Sequence, residues 1–237
     1  MLATVMRSKT RHRGVSLVEL MVAMTLGLLV SSLALEHVGQ QLADQSRLAE
    51  AVRLEQDLRA AADLLTKELQ RANAWESPER GVWDATTNPS PINNPYISLQ
   101  LTPGGRGLSF ARSSHDNRQR PKAPESAENQ RIDADEWQGV AWRRNELLQR
   151  LNGGNFQPLN DTALMRVTAF ELRLQGNDID APELCAPGAA ASAAAPGVSR
   201  RVLDLRLQVQ SPKWPELSRE LQWQVPLRTP VLRTACA

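Results

Sequence analysis

The stretch from Val15 to Leu35 constrains this chain more than any other. It reads VSLVELMVAMTLGLLVSSLAL and carries a single charged residue, Glu19. As a helix rising 1.5 Å per residue it is roughly 31 Å long, enough to cross the hydrocarbon core of a bilayer. Ahead of it, residues 1–14 (MLATVMRSKTRHRG) hold Arg7, Lys9, Arg11 and Arg13 and no acid. That asymmetry keeps the N-terminus cytoplasmic and sends everything after Leu35 across the membrane. Two alternatives stand beside a processed anchor. A secretory signal peptide has an apolar core of roughly 7–15 residues and a small-residue cleavage site. Ser31-Ser32-Leu33-Ala34 is the place for such a site, but the helical pattern runs straight through it. A plain signal anchor is the other alternative.

Charge excludes further classes. The chain has 28 Lys and Arg against 26 Asp and Glu, a net +2. Removing the four cations of the first fourteen residues leaves 24 against 26, so the rest of the chain is slightly acidic. That argues against a general nucleic-acid binder. With 41% hydrophobic and 23% charged residues the chain is not disordered. One long apolar run excludes a polytopic membrane protein. The length fits an N-terminal appendage and one domain of about 150–170 residues.

Glu19 fits neither a signal peptide nor a plain anchor. A carboxylate near the start of an apolar run costs a few kcal/mol on insertion and needs a partner or a role. It lies four residues after Val15, a gap that puts both on one helix face. If the chain is cut between Gly14 and Val15, the new α-amino group is a cation on that face. Glu19 then has a partner, most usefully the amine of a neighbouring helix of the same kind. Pairing the two buried charges would set the register between subunits.

The run Arg13-Gly14-Val15-Ser16-Leu17-Val18-Glu19-Leu20 resembles the prepilin signal of type IV pilins and type II secretion pseudopilins. The resemblance implies that a prepilin peptidase cuts after Gly14 and methylates Val15, and that Glu19 guides assembly. The family usually carries Phe where this chain has Val15. The helix Arg53–Ala72 is similar to that of PilW-type minor pilins and of the J-type pseudopilins of type II secretion. Many pilins have a proline near the membrane exit; here that zone holds Glu36 and Gly39, and a kink at Gly39 is one option.

Residues 36–75 contain no proline and only Gly39, and are rich in helix formers. From Ala51 an apolar stripe follows through Leu54, Leu58, Ala61, Leu65, Leu69 and Ala72. Its gaps of three and four are those of one helix face. Ser77-Pro78 is the expected stop. The segments are therefore a cleaved leader at 1–14, a membrane and assembly helix at 15–35, an exported amphipathic helix at 36–76 and a β-rich domain at 77–237.

Beyond Pro78 the period changes to two. Tyr96–Leu101 and Leu108–Arg112 flank Pro103-Gly104-Gly105, a hairpin signal. Gly139–Arg143 leads through Asn145 into Leu147–Leu151. Thr168, Phe170, Leu172 and Leu174 alternate with polar residues, as do Leu203, Leu205, Leu207 and Val209, and then Leu221, Trp223, Val225 and Leu227. Such alternation means one face buried and one in water. The expectation is an α+β fold, with the long helix packed on a mostly antiparallel sheet. Residues 113–135 and 185–199 read as surface loops. Asn152-Gly153-Gly154-Asn155 reads as a turn. Asn177-Asp178-Ile179-Asp180 reads as a solvated turn, acidic enough for calcium but without further apparent ligands. The six Trp are read as packing residues.

Cys185 and Cys236 both follow the membrane segment, so an oxidising compartment is expected and one disulfide between them is plausible; two free thiols are the alternative. None of the three His has ligand-like neighbours, so no metal and no cofactor are expected. No nucleophile elbow, phosphate loop or zinc-protease motif is present. The expectation is a non-enzymatic minor pilin of a type IV pilus. Its partners would be the prepilin peptidase, other minor pilins, the major pilin and the inner membrane, with no nucleic acid. It could enter the pilus. A J-type pseudopilin is the alternative within the class. An anchored periplasmic binding protein or enzyme is the alternative outside it.

Overall fold

From Leu17 to Gln70 the chain has no proline, and it forms one unbroken α-helix of 54 residues, α1. The computed structural model describes residues 14, 16–81, 92–113, 131–180 and 197–233. Helix α1 runs through Gly39 without a break. Contacts divide the chain into two compact units, residues 1–49 and 50–237.

The helix ends at Gln70, seven residues before the expected stop at Ser77-Pro78. Arg71 and Ala72 donate their N–H groups three residues back, to Glu68 and Leu69, which tightens the last turn. Asn73 then adopts φ +64° and sends its own N–H to Ala111 O at 3.1 Å. Asparagine tolerates this left-handed conformation better than most side chains, so it ends the helix where glycine commonly would. Ala72 stays buried although it lies past the helix end.

The second unit holds two antiparallel sheets where one was expected. The first runs β1 (Leu99–Leu101), β2 (Gly107–Ala111), β3 (Trp137–Arg143), β4 (Glu146–Arg150) and β5 (Gln157–Pro158), in that order. The second runs β6 (Arg166–Asp180), β7 (Gly197–Gln210) and β8 (Ser218–Pro226), with β9 (Val231–Arg233) beside the start of β7. The stripe Leu54, Leu58, Ala61, Leu65, Leu69 and Ala72 is buried against both. Leu108, Phe110, Val140 and Leu147 come from the first sheet, and Phe170, Leu172, Leu203, Leu205, Leu207 and Val209 from the second. Most of these are fully enclosed, each worth about 1.5–3 kcal/mol of apolar burial.

Polar contacts fix the helix between the sheets. Arg112 Nη1 reaches Glu68 Oε2 at 3.2 Å, and Trp223 Nε1 donates to Thr66 Oγ1 at 3.0 Å. The buried Ser211 hydroxyl donates to Glu50 Oε1 at 2.8 Å. The sheets join through Trp142, whose Nε1 donates to Val167 O at 3.0 Å. Gly105 (φ +67°) is needed where the β1–β2 loop meets β6: a Cβ there would stand 2.6 Å from Leu172 O.

Several local expectations are corrected. Tyr96 is not in a strand: Pro95–Ile97 is a short 3-10 turn, capped by the Asn94 side chain accepting the Tyr96 N–H at 2.8 Å. Thr168 is exposed, because a bulge between Val167 and Ala169 shifts the phase of β6, and Val167 takes the buried place. Leu174 is 37% exposed on the edge strand β6, although Leu203, opposite it on β7, is fully buried. Asn177–Asp180 is not a turn but the end of β6, paired with Arg200 to Gly197. The expected loop 185–199 closes early for the same reason, since Gly197–Ser199 pairs with both β6 and β9. Of the expected loop 113–135, Ala134–Glu136 forms a 3-10 turn with an Asp133 capping box. The hairpin through Asn145 holds: Arg144 (φ +51°) and Asn145 (φ +68°) form its two-residue turn.

Candidate functional site

Among the described residues nothing covers the N-terminal half of α1. Every large apolar side chain from Leu17 to Leu35 is exposed, from 51% at Val22 to 74% at Leu17. Apolar residues surround the helix on all sides here, so no polar face turns to water. Two hydroxyls are turned inward: Thr25 Oγ1 donates to Val22 O at 2.9 Å, and Ser32 Oγ to Leu28 O at 2.9 Å. Such back-bonding leaves no bare donor from these residues on the apolar surface. The segment is long and apolar enough to cross a membrane.

Glu19 lies in the first turn of α1, where the helix dipole favours an anion. The first helical hydrogen bond beside it runs from Leu20 N to Ser16 O at 3.0 Å. The carboxylate is exposed, and among the described residues it has no hydrogen-bond or ion-pair partner. Gly14 is exposed too, and a Cβ there would meet nothing within 4 Å. The fold therefore does not require glycine at this position. Val15, the rest of the leader, Cys185 and Cys236 lie outside the described residues. Farther along, His37 shares a 3.1 Å hydrogen bond with Gln41.

At the distal end of the helix a polar cluster was not legible in the sequence. Asn73 is fully buried and its Nδ2 donates to Tyr96 O. Asn73 Oδ1 accepts from Arg201 Nη2 at 3.0 Å, and its carbonyl from Asn94 Nδ2 at 2.9 Å. Arg201 Nη1 also donates to Ile97 O at 2.8 Å. Burial pushes the Arg201 guanidinium below its ordinary pKa. The Tyr96 hydroxyl reaches buried Glu136 at 2.9 Å. Asn73 breaking a run of helix formers was the only available signal, and its partners are set by tertiary contact.

A helix apolar all round at its start, amphipathic farther on and packed there on antiparallel sheets defines a type IV pilin-like protein. The prokaryotic N-terminal methylation motif matches residues 9–35, and the profile of prepilin peptidase-dependent protein B matches residues 47–227. The chain belongs to the prepilin peptidase-dependent protein B family. No curated protein and no solved structure matches it. Family and motif together make the prepilin peptidase a partner of this chain, and the apolar helix fits an inner-membrane anchor.

Proposed function

We propose that this chain is a minor pilin, without catalytic activity, that joins other minor pilins in a complex priming or capping a type IV filament at the inner membrane. The reading rests on one observation: an apolar helix face that the described residues leave uncovered, bearing a carboxylate with no partner among them. The prepilin peptidase cuts after Gly14 and methylates Val15. The leader stays cytoplasmic before the cut, and the domain from Glu50 onward is periplasmic.

Glu19 supplies the register. A carboxylate in the bilayer costs about 2.5–3.5 kcal/mol on insertion scales. Pairing with the α-amine of a neighbouring Val15-type N-terminus removes much of that cost only at one axial offset between helices. Packing of the apolar surfaces provides the attraction, and the charge pair selects the offset. Once exported, Cys185 and Cys236 pair; peptide mapping without reductant reads this directly.

The test is Glu19→Ala. It keeps the helix and removes the charge, so membrane insertion and cleavage persist. Recovery of full-length partner pilins and the number of filaments per cell should both fall. Unchanged recovery and unchanged filaments would make Glu19 incidental and remove the basis for the assembly reading.

A further inference from the structure

We infer that the outer face of the first sheet carries a platform that binds carboxylates of an acidic segment in a partner polypeptide. The guanidinium carbons of Arg143, on β3, and Arg150, on β4, lie 5.5 and 5.4 Å from the centre of the same Phe156 ring. Among the described residues neither arginine has a carboxylate within ion-pair distance. Glu146 faces Arg143 in the strand register, yet makes no ion pair with it. Arg150 Nε is buried without an acceptor among the described residues.

The platform is held in place from below. Phe156 lies over Gly139, where a Cβ would stand 3.4 Å from the ring tip. The loop leading to it is pinned: Gly153 N donates to Trp137 O at 2.7 Å, and Gly154 N to Leu151 O at 2.9 Å. Gln138 and Asn152 exchange two further hydrogen bonds, each 3.2 Å. Gly153 (φ +68°) is required there, since a Cβ would collide with Ala134 O.

Two cations gathered on one ring repel each other, and a bound anion relieves that repulsion. Arginine is suited to the task. Cation–π contact with the ring orients the guanidinium, and its fork of N–H donors matches a carboxylate with two parallel bonds. The two guanidiniums come from neighbouring strands, so a segment bearing several carboxylates engages both, which a single small anion does less well. The inference concerns the globular unit and does not depend on how the N-terminal helix assembles.

The experiment uses the full chain in detergent and a labelled ten-residue peptide of alternating Glu and Ser, read by fluorescence anisotropy. The control peptide has Gln in place of Glu. The Glu peptide should bind and the Gln peptide should not, and Arg143→Gln with Arg150→Gln should weaken binding at least tenfold. The cations of the leader are common to both proteins, so the difference reads the platform. Arg143→Gln alone, an exposed side chain whose described contact is the ring, should weaken binding severalfold if the double variant does not fold. Equal affinity for wild type and the folded variant overturns the inference. Competition by inorganic phosphate at the same molar concentration as the peptide also overturns it, in favour of a simple anion site.

Discussion

Arg201 of β7 and Asn73, just past the end of α1, are 128 residues apart in sequence, and Nη2 of the arginine donates to Oδ1 of the asparagine at 3.0 Å. The bond ties the end of the helix to the middle strand of the second sheet. Asn73 also bonds to Ala111, at the end of β2 in the first sheet, so one residue holds the helix end to both sheets.

Asn73→Ala should therefore be costly. It removes two side-chain hydrogen-bonding atoms, Nδ2 and Oδ1, from a buried cluster and places alanine at φ +64°. The expected loss is roughly 2–4 kcal/mol in urea unfolding followed by Trp fluorescence. Asn73→Gly keeps the backbone conformation and should recover about 1 kcal/mol of it. Equal midpoints for the two variants would show that the left-handed conformation carries no cost here.

Two neighbouring leucines of α1 separate core packing from helix propensity. Leu65 is 1% exposed and Leu64 is 50% exposed. Leu65→Ala should lose about 2–5 kcal/mol, while Leu64→Ala should stay within about 0.5 kcal/mol of wild type. Thermal unfolding of the purified chains compares them. A large loss at Leu64 would contradict the packing described for the helix.

Processing is read by mass. The mature chain should begin at methylated Val15, and Gly14→Trp should leave residues 1–14 attached. Because a Cβ at Gly14 meets nothing within 4 Å, the uncut variant should fold and unfold like the wild type. Cleavage near Ala34 would identify a secretory signal peptide instead.

On the outer face of the second sheet, Arg206 donates to Glu220 twice, at 2.9 Å from both Nε and Nη2. Hydrogen bonds from Arg206 and then Gln222 hold the Glu220 carboxyl below its ordinary pKa. A depressed carboxyl stabilises the fold above its unfolded pKa, and that contribution disappears as pH falls through the folded value. The pair lies at the solvent surface, so the effect on stability is small and salt-sensitive. Carboxyl NMR should show Glu220 titrating below a typical glutamate and moving up in Arg206→Gln. No movement would mean that the paired geometry is not kept in solution.

The sequence by itself determined the elements whose signal is local. The all-apolar run, the helical stripe from Leu54 to Ala72 and the alternation Leu203, Leu205, Leu207, Val209 each need only the period of their own backbone. All are buried or exposed as that period requires. Gly14 and Glu19 were singled out by linear features too, a basic leader and a lone carboxylate, and the structure places both at the surface. Tertiary structure decided the rest, because register and convergence belong to pairs of segments. Nothing within β6 marks Thr168 as the bulged residue; it follows from pairing with β7, where Val167 and Ala169 oppose Val209 and Gln208. The stop at Gln70, ahead of Pro78, depends on Asn73 finding Ala111, Tyr96 and Arg201. The division into two sheets likewise arises only when strands distant in sequence are laid side by side over the helix, and the meeting of Arg143, Arg150 and Phe156 depends on the register of the β3–β4 hairpin and the path of the loop after it.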